Sequence, residues 1–211
     1  MANQRGKDIL IIFVKHPEPG KVKTRLAATV GHDMALKVYR SLLQRTMEIT
    51  QPLLEVKKEV HYGDQPVSGD LWDIAGFDRY AQTGEDLGAR MAHAFQKAFD
   101  QGADRAVIIG SDCYELDTQR LQEAFQALER HDSVIGPSTD GGYYLLGMAK
   151  PIPEFFDNKE WSTASVAGDT MADAERLGLS MAILPSLTDI DTEKDLITIP
   201  KERRVELGII L

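Results

Sequence analysis

A single cysteine, Cys113, stands among the 211 residues. One thiol cannot build a disulfide framework, and a chain of this length needs none, because roughly 70% of its unfolded surface can be buried. Positive charge is also scarce: 24 Lys and Arg against 33 Asp and Glu leave a formal net charge of −9. A nucleic-acid-binding surface needs a basic face, so that class of partner is excluded. No apolar run approaches the ~20 residues that span a bilayer. Arg5 and Lys7 do precede an apolar run over 9–14, but it ends at Lys15 and is too short for the core of a signal peptide. A soluble, cytoplasmic protein is the expectation.

Other absences remove particular chemistries. The five histidines are scattered, with no pair at metal-ligand spacing, so none is assigned to zinc. Lys23-Thr24 follows Val22 rather than glycine, which rules out a P-loop, and no G-x-G-x-x-G follows the first apolar run. Ser111 lacks a G-x-S-x-G setting. Cys113 sits beside an acid, with nothing to activate a thiolate, and reads as a small packed residue. An Asp-x-Asp-x-Thr nucleophile motif fails at Asp189-Ile-Asp-Thr-Glu193, where Glu193 holds the place of the threonine.

What is present is a steady alternation of strand and helix patterns. Strands are expected over 8–15, 54–62, 77–82, 106–109, 133–136, 142–148 and 180–184, and helices over 32–50, 86–101, 118–131 and 165–178. The segment 63–76 reads as a loop with a short helix, and Thr192 to Asp195 opens a final helix through a variant capping box. With 43% hydrophobic and 27% charged residues the composition is that of a globular protein. No repeat, low-complexity tract or long linker divides it, so one domain over 1–211 is expected. The alternation implies a three-layer α/β/α fold around a mostly parallel sheet.

The candidate chemistry gathers where strands end. The run Ala106-Val-Ile-Ile109 has the pattern of a strand buried on both faces, and beyond Gly110-Ser111 it delivers a carboxylate, Asp112. Ligands bind at that end of an open α/β sheet, and a buried strand ending in an acid is costly unless the acid binds something. The expectation is a divalent metal carrying a nucleotide's phosphates. The loop after the first strand concentrates Lys15, Lys21, Lys23 and Arg25 around Gly20. A solvated basic turn would look similar, but its place after the first strand favours phosphate.

A second acid is offered by Asp189-Ile-Asp-Thr192, directly after the last strand. Two carboxylates brought together need a cation between them, and magnesium held by carboxylates and phosphates is the usual solution. Asp191 reads equally as an acid favouring a helix N-terminus. Asp140 lies between Thr139 and Gly141-Gly142, where it could accept a hydroxyl hydrogen bond or a proton, or simply belong to a turn. Trp161 on its own reads as a packing residue.

Five blocks taken together carry a resemblance. They are Phe13-Val-Lys-His-Pro-Glu-Pro-Gly-Lys-Val-Lys-Thr-Arg-Leu26, Gly110-Ser-Asp-Cys113, Gly136-Pro-Ser-Thr-Asp-Gly-Gly-Tyr143, Trp161-Ser-Thr163 and Asp189-Ile-Asp-Thr192. In this order they resemble a bacterial family of uncharacterised transferases in the nucleotide-diphospho-sugar transferase superfamily, of GT-A type. The resemblance implies a GT-A fold, a seven-stranded mixed sheet with nucleotide bound by the N-terminal half. It implies Asp112 and Asp191 as ligands of Mg or Mn, and Lys15, Gly20, Lys23, Arg25 and Ser111 as the nucleotide and phosphate site. Asp140 and Asp112 take catalytic roles, and Gly141, Gly142 and Trp161 lie towards the substrate. Tyr114 replaces the usual proline after the cysteine, and Glu193-Lys194 replaces proline-glutamate; neither change removes a proposed ligand.

The activity implied is metal-dependent glycosyl transfer from a nucleotide-sugar to a small-molecule acceptor, in a protein that admits a homodimer. The alternative is nucleotidyl transfer, of guanylyltransferase or cytidylyltransferase type, which releases pyrophosphate from a nucleoside triphosphate. A non-catalytic nucleotide sensor is a third reading, disfavoured because the fold alone does not require Asp112, Asp140 and Asp191.

Overall fold

The first strand shows why the sheet is buried. In β1 (Asp8–Val14) Ile9 and Ile11 point to one face, Leu10, Ile12 and Val14 to the other, and residues 9 to 12 are all 0% exposed. Side chains alternate with a period of two, so apolar residues at every position require a helical layer on each side. The computed structural model, which describes residues 7–209, supplies both layers.

After β1 come α1 (Thr24–Val30), α2 (His32–Thr50), β2 (Val56–Tyr62), α3 (Leu71–Ile74), β3 (Asp78–Ala81) and α4 (Leu87–Asp100). The second half holds β4 (Arg105–Ile109), α5 (Thr118–Ala127), β5 (Ser133–Pro137), β6 (Tyr143–Met148), α6 (Val166–Arg176), β7 (Met181–Ile183) and α7 (Lys201–Leu207). The seven strands form one sheet in the order β3-β2-β1-β4-β6-β5-β7, and only β6 runs antiparallel to its neighbours. The architecture is the expected three α/β/α layers around a mixed, mostly parallel sheet. Residues of α1, α2 and α5 pack on one face; residues of α4, α6 and a 3₁₀ turn at Pro153–Phe156 pack on the other. None of the described helices is long and apolar enough to cross a membrane.

The chain leaves β1 towards β2 and β3 and returns to β4 on the other side of β1. Crossovers therefore diverge between β1 and β4, and a crevice opens beyond their carboxyl ends. The opposite ends are pinned: Arg105 holds Asp8 through Nε to Oδ1 at 2.7 Å and Nη2 to Oδ2 at 3.0 Å. Burial pushes the Asp8 carboxyl above its ordinary pKa even so, with Arg105 pulling it back.

Several expectations shift in detail. The loop after β1 was expected to reach Arg25, but α1 begins at Thr24 because Lys23 turns the chain in a left-handed conformation. The expected final helix is a 3₁₀ turn at Glu193–Thr198, with the separate α7 beyond Pro200. Proline has no N–H and favours an extended residue before it, here Ile199 at φ −73° and ψ 128°, so one helix cannot run through. On β2, Val60 and Tyr62 face the core under α2, whereas Glu59 and His61 are buried on the opposite face at 0% and 1% exposure. Lys57 reaches Glu59 at 2.6 Å, Gln101 at 2.6 Å and Asp78 at 3.0 Å, giving that face a polar filling.

Candidate functional site

The crevice at the carboxyl ends of β1 and β4 is a cleft of about 770 Å³. Its lining includes a charged group, Lys23, Arg25, Asp112, Asp189 and Asp191, and a mainly apolar one, Phe13, Leu87, Met91 and Trp161, with Arg90 beside it.

Asp112 arrives as expected, three residues past the end of β4. Its backbone carbonyl accepts from Ile190 N at 2.9 Å, and Cys113 bridges Asp189, so the chain after β4 pairs with the late acidic segment. That pairing carries Asp191 across to Asp112. Asp191 is then held from behind by Asp195, whose Oδ2 accepts from Asp191 N at 3.1 Å, Thr192 N at 2.7 Å and Thr192 Oγ1 at 2.9 Å. The capping box read from the sequence is thus a device that fixes Asp191.

Lys23 joins the two acids. Its Nζ lies 2.8 Å from Asp112 Oδ1 and 3.2 Å from Asp191 Oδ1, with 4% of its side chain exposed. Burial opposes its charge, but Asp112 and Asp191 outweigh that and raise its pKa. Arg25 approaches Asp191 at 3.6 Å and is mostly in solvent. Asp189 is the most deeply set of the acids, and burial followed by the charge of Asp112 pushes its pKa up to about 7.

Tyr39 on α2 ties the floor together. Its hydroxyl accepts from Lys15 N at 2.8 Å, donates to Lys15 O at 3.2 Å and lies 3.3 Å from Ser111 Oγ. Burial, then the charge of Asp112, raises its pKa to about 12.

Asp140 lies on the β5–β6 connection, exposed at the cleft, and its Oδ1 accepts from Gly142 N at 3.0 Å. At Gly141, φ is 91° and a Cβ would stand 2.0 Å from the Ala164 carbonyl oxygen, so the turn must pass beneath residues 161–164 without a side chain. Trp161 packs over Gly88, where a Cβ would lie 2.2 Å from the indole, and stacks on Phe156 at 6.4 Å.

A family model described as "Uncharacterized protein conserved in bacteria (DUF2064)" matches residues 40–163. The chain belongs to this family. It is 38% identical to a "putative nucleotide-diphospho-sugar transferase" from Desulfovibrio desulfuricans G20, with a TM-score of 0.84, covering 95% of this chain and 89% of that one. Two structures share the fold at low identity. The inositol-1-phosphate CTP transferase from T. maritima is 12% identical, with a TM-score of 0.60, covering 98% of this chain and 97% of that one. A cytidylyltransferase from Leptospira borgpetersenii serovar Hardjo-bovis (strain JB197) is 15% identical, with a TM-score of 0.57, covering 96% of this chain and 92% of that one. No curated protein matches the sequence.

In this DUF2064 protein the cleft brings together Lys15, Lys23, Arg25, Ser111, Asp112, Asp140, Gly142, Trp161 and Asp191 among the residues singled out from sequence. Three do not border it. Gly20, at φ 76°, follows Pro19 in a turn closed by Lys21 N to Glu18 O at 3.2 Å, and Gly141 lies under Ala164. Lys21 pairs with Glu18 at the surface. Ser111 is buried and its hydroxyl faces Tyr39, as a scaffold residue would. Lys23 was expected to offer its charge to phosphate, but two nearby carboxylates claim it. Cys113 is buried, and burial raises its thiol to about 12, so it is a packing residue as read.

Sequence reasoning passed over Tyr39, Asp189 and Asp195. Tyr39 had no signal beyond being one more apolar position on a helix. Asp189 and Asp195 stood in view on either side of Asp191, and the box around Asp195 was the usable clue.

Proposed function

We propose that this protein transfers a group from an activated nucleotide, in the first place a sugar from a nucleotide-sugar, to a small acceptor with the help of Mg or Mn. The observation that carries the reading is the convergence of Asp112 and Asp191 on a single positive charge at the carboxyl ends of β1 and β4. It gains support from the Desulfovibrio protein, described as a "putative nucleotide-diphospho-sugar transferase".

The two carboxylates suit such a metal. Both are hard oxygen donors open to the cleft, with 45% and 38% of their side chains exposed, and both already turn an oxygen towards a cation. Magnesium is commonly held by one or two carboxylates, with substrate phosphates and water completing its shell. Bound there, the metal would neutralise charge developing on the leaving diphosphate.

The chain's own groups do the rest. Arg25 and Lys15 hold phosphate oxygens from the cleft edge, Arg25 as a planar fork and Lys15 as a point charge. The Gly142 N–H steadies one oxygen of Asp140, leaving the other to accept the proton of an acceptor hydroxyl. Phe13, Leu87, Met91 and Trp161 exclude water from the apolar part, where the charged groups are felt more strongly.

Nucleotidyl transfer is the second reading, supported by the fold shared with CTP-using and cytidylyltransferase structures. The β1 loop weighs against it, having one glycine, Gly20, and no Gly-rich, Arg-containing signature followed by Pro-Lys. The product separates the two: nucleoside diphosphate from a nucleotide-sugar, or pyrophosphate from a triphosphate. For the shared core of both readings, calorimetric titration of UDP or GDP with Mn²⁺ should show binding that Asp112→Ala abolishes. Unchanged affinity in that variant would remove Asp112 from the metal site.

A further inference from the structure

Lys23 is built differently from the other cations of the β1 loop. It adopts φ 48° and ψ 44°, a left-handed conformation that is strained for a non-glycine residue. The turn sends its side chain inward, leaving 4% of it exposed, whereas Arg25 two residues on is 71% exposed. A buried ammonium is expensive to desolvate unless good partners meet it. Here the partners are Asp112 Oδ1 at 2.8 Å and Asp191 Oδ1 at 3.2 Å, the same carboxylates assigned to the metal.

We infer that Lys23 is a resident cation that holds Asp112 and Asp191 together in the metal-free protein and competes with the divalent ion for them. This rests on the proposed role of those two acids as metal ligands. Magnesium takes oxygens at about 2.0–2.1 Å, inside the space that the ammonium fills, and the two cations repel at such range. Metal loading therefore turns Lys23 out of its seat. The displaced ammonium stands beside the bound metal, where a donor's diphosphate can accept it. Metal alone must expel Lys23 at a cost; metal arriving with a diphosphate gives Lys23 a new partner and gains further oxygen ligands. The two should bind with positive coupling, and that coupling should run through Lys23.

The test is Mn²⁺ binding to the full-length protein without nucleotide, read by the electron paramagnetic resonance of free Mn²⁺, with thermal melts alongside. Lys23→Met should bind Mn²⁺ at least about tenfold more tightly than wild type, a difference of ~1.4 kcal/mol. Without metal it should melt below wild type, because Asp112 and Asp191 then repel unscreened, and Mn²⁺ should restore the loss. Lys23→Arg, which keeps the charge, should gain no affinity. Adding Asp112→Asn to Lys23→Met should erase both the gain and the rescue. Where Lys23→Met fails to fold, Lys23→Gln, which keeps a hydrogen-bond donor between the acids, gives the same comparison. Equal or weaker Mn²⁺ binding in the folded Lys23→Met or Lys23→Gln variant overturns the inference, and metal-dependent UDP binding by wild type would then leave the metal site standing. Absence of Mn²⁺ binding in every protein, with or without UDP, overturns both.

Discussion

The hydroxyl of Tyr39 grips both backbone polar atoms of Lys15, accepting from its N–H at 2.8 Å and donating to its carbonyl at 3.2 Å. A residue of α2 thereby fixes the point where β1 gives way to the cationic loop. The same oxygen lies 3.3 Å from Ser111 Oγ, so the ends of β1 and β4 share one brace.

Tyr39→Phe removes the brace and keeps the ring in the core. A buried hydrogen-bonding hydroxyl contributes about 1–2 kcal/mol, and its loss also leaves the Lys15 amide unpaired. The expected result is a protein destabilised by about that amount in urea, with nucleotide affinity weakened several-fold because Lys15 and Ser111 lose their setting. A drop in stability with unchanged nucleotide affinity would show that the brace serves the fold alone.

At the other end of the same strands, Arg105→Met should cost about 3 kcal/mol, the scale for breaking a buried ion pair from one side. The variant strands Asp8, which is only 9% exposed and whose carboxyl burial already pushes upward. Neutralising the stranded acid with Asp8→Asn should recover part of the loss. The check is the urea midpoint of the two single variants and the double variant at neutral pH. Equal losses in Arg105→Met and in the double variant would mean that the stranded charge carries no cost.

The sheet was legible from sequence because strands buried on both faces leave a mark that needs no tertiary information. The runs in β1 and β4 are apolar at every position, and the break after Ile109 announces where a ligand-facing acid would stand. Lys23 was not legible in the same way. Its side chain turns inward through a left-handed backbone conformation that nothing in Val22-Lys-Thr24 signals, so it reads as one more surface cation. Tyr39 depends on partners 24 and 72 residues away in the chain, and helix periodicity records only that it is apolar. Glycines misled in one direction: Gly20 serves a turn at the surface, while Gly88, unremarked inside a helix, makes room for Trp161. On β2 the charged and polar residues around Val60 give no sign of burial, yet Glu59 and His61 are 0% and 1% exposed.

Glu59 should give stability an acid limb. Burial alone would raise its carboxyl, but hydrogen bonds from His61 and Lys57 and their charges prevail and hold it at about 2, against 4.5 when unperturbed. A depressed carboxyl stabilises the fold above its unfolded pKa, and the contribution disappears as pH falls towards the folded value. The contribution is therefore complete above about pH 4.5 and lost on the way to about pH 2, and it amounts to about 3 kcal/mol at neutral pH. Glu59→Gln should be less stable than wild type at pH 7, with the gap in urea midpoints closing through that window. A gap that stays constant down to the acid limit would assign the loss to packing rather than charge.

Gly88→Ala sets two effects against each other. Alanine within α4 should stabilise the helix by roughly 1 kcal/mol relative to glycine. The new methyl carbon, however, would lie 2.2 Å from the Trp161 ring, which cannot stay where it is. Trp161 is held by a strained segment, with Ser162 at φ 65°, and stacks on Phe156 at 6.4 Å, so the ring should yield before the helix does. The expected outcome is a folded protein whose melting point changes little while Trp161 swings out from the apolar part of the cleft. Trp72, 2% exposed in the core, supplies an internal reference. Acrylamide quenching should therefore report one protected and one newly accessible indole, where wild type shows Trp161 partly shielded. If the apolar part shapes the acceptor or donor subsite, KM for that substrate should rise severalfold with kcat less affected. An unchanged quenching profile would mean that α4 has shifted instead, and the melting point should then fall by several degrees.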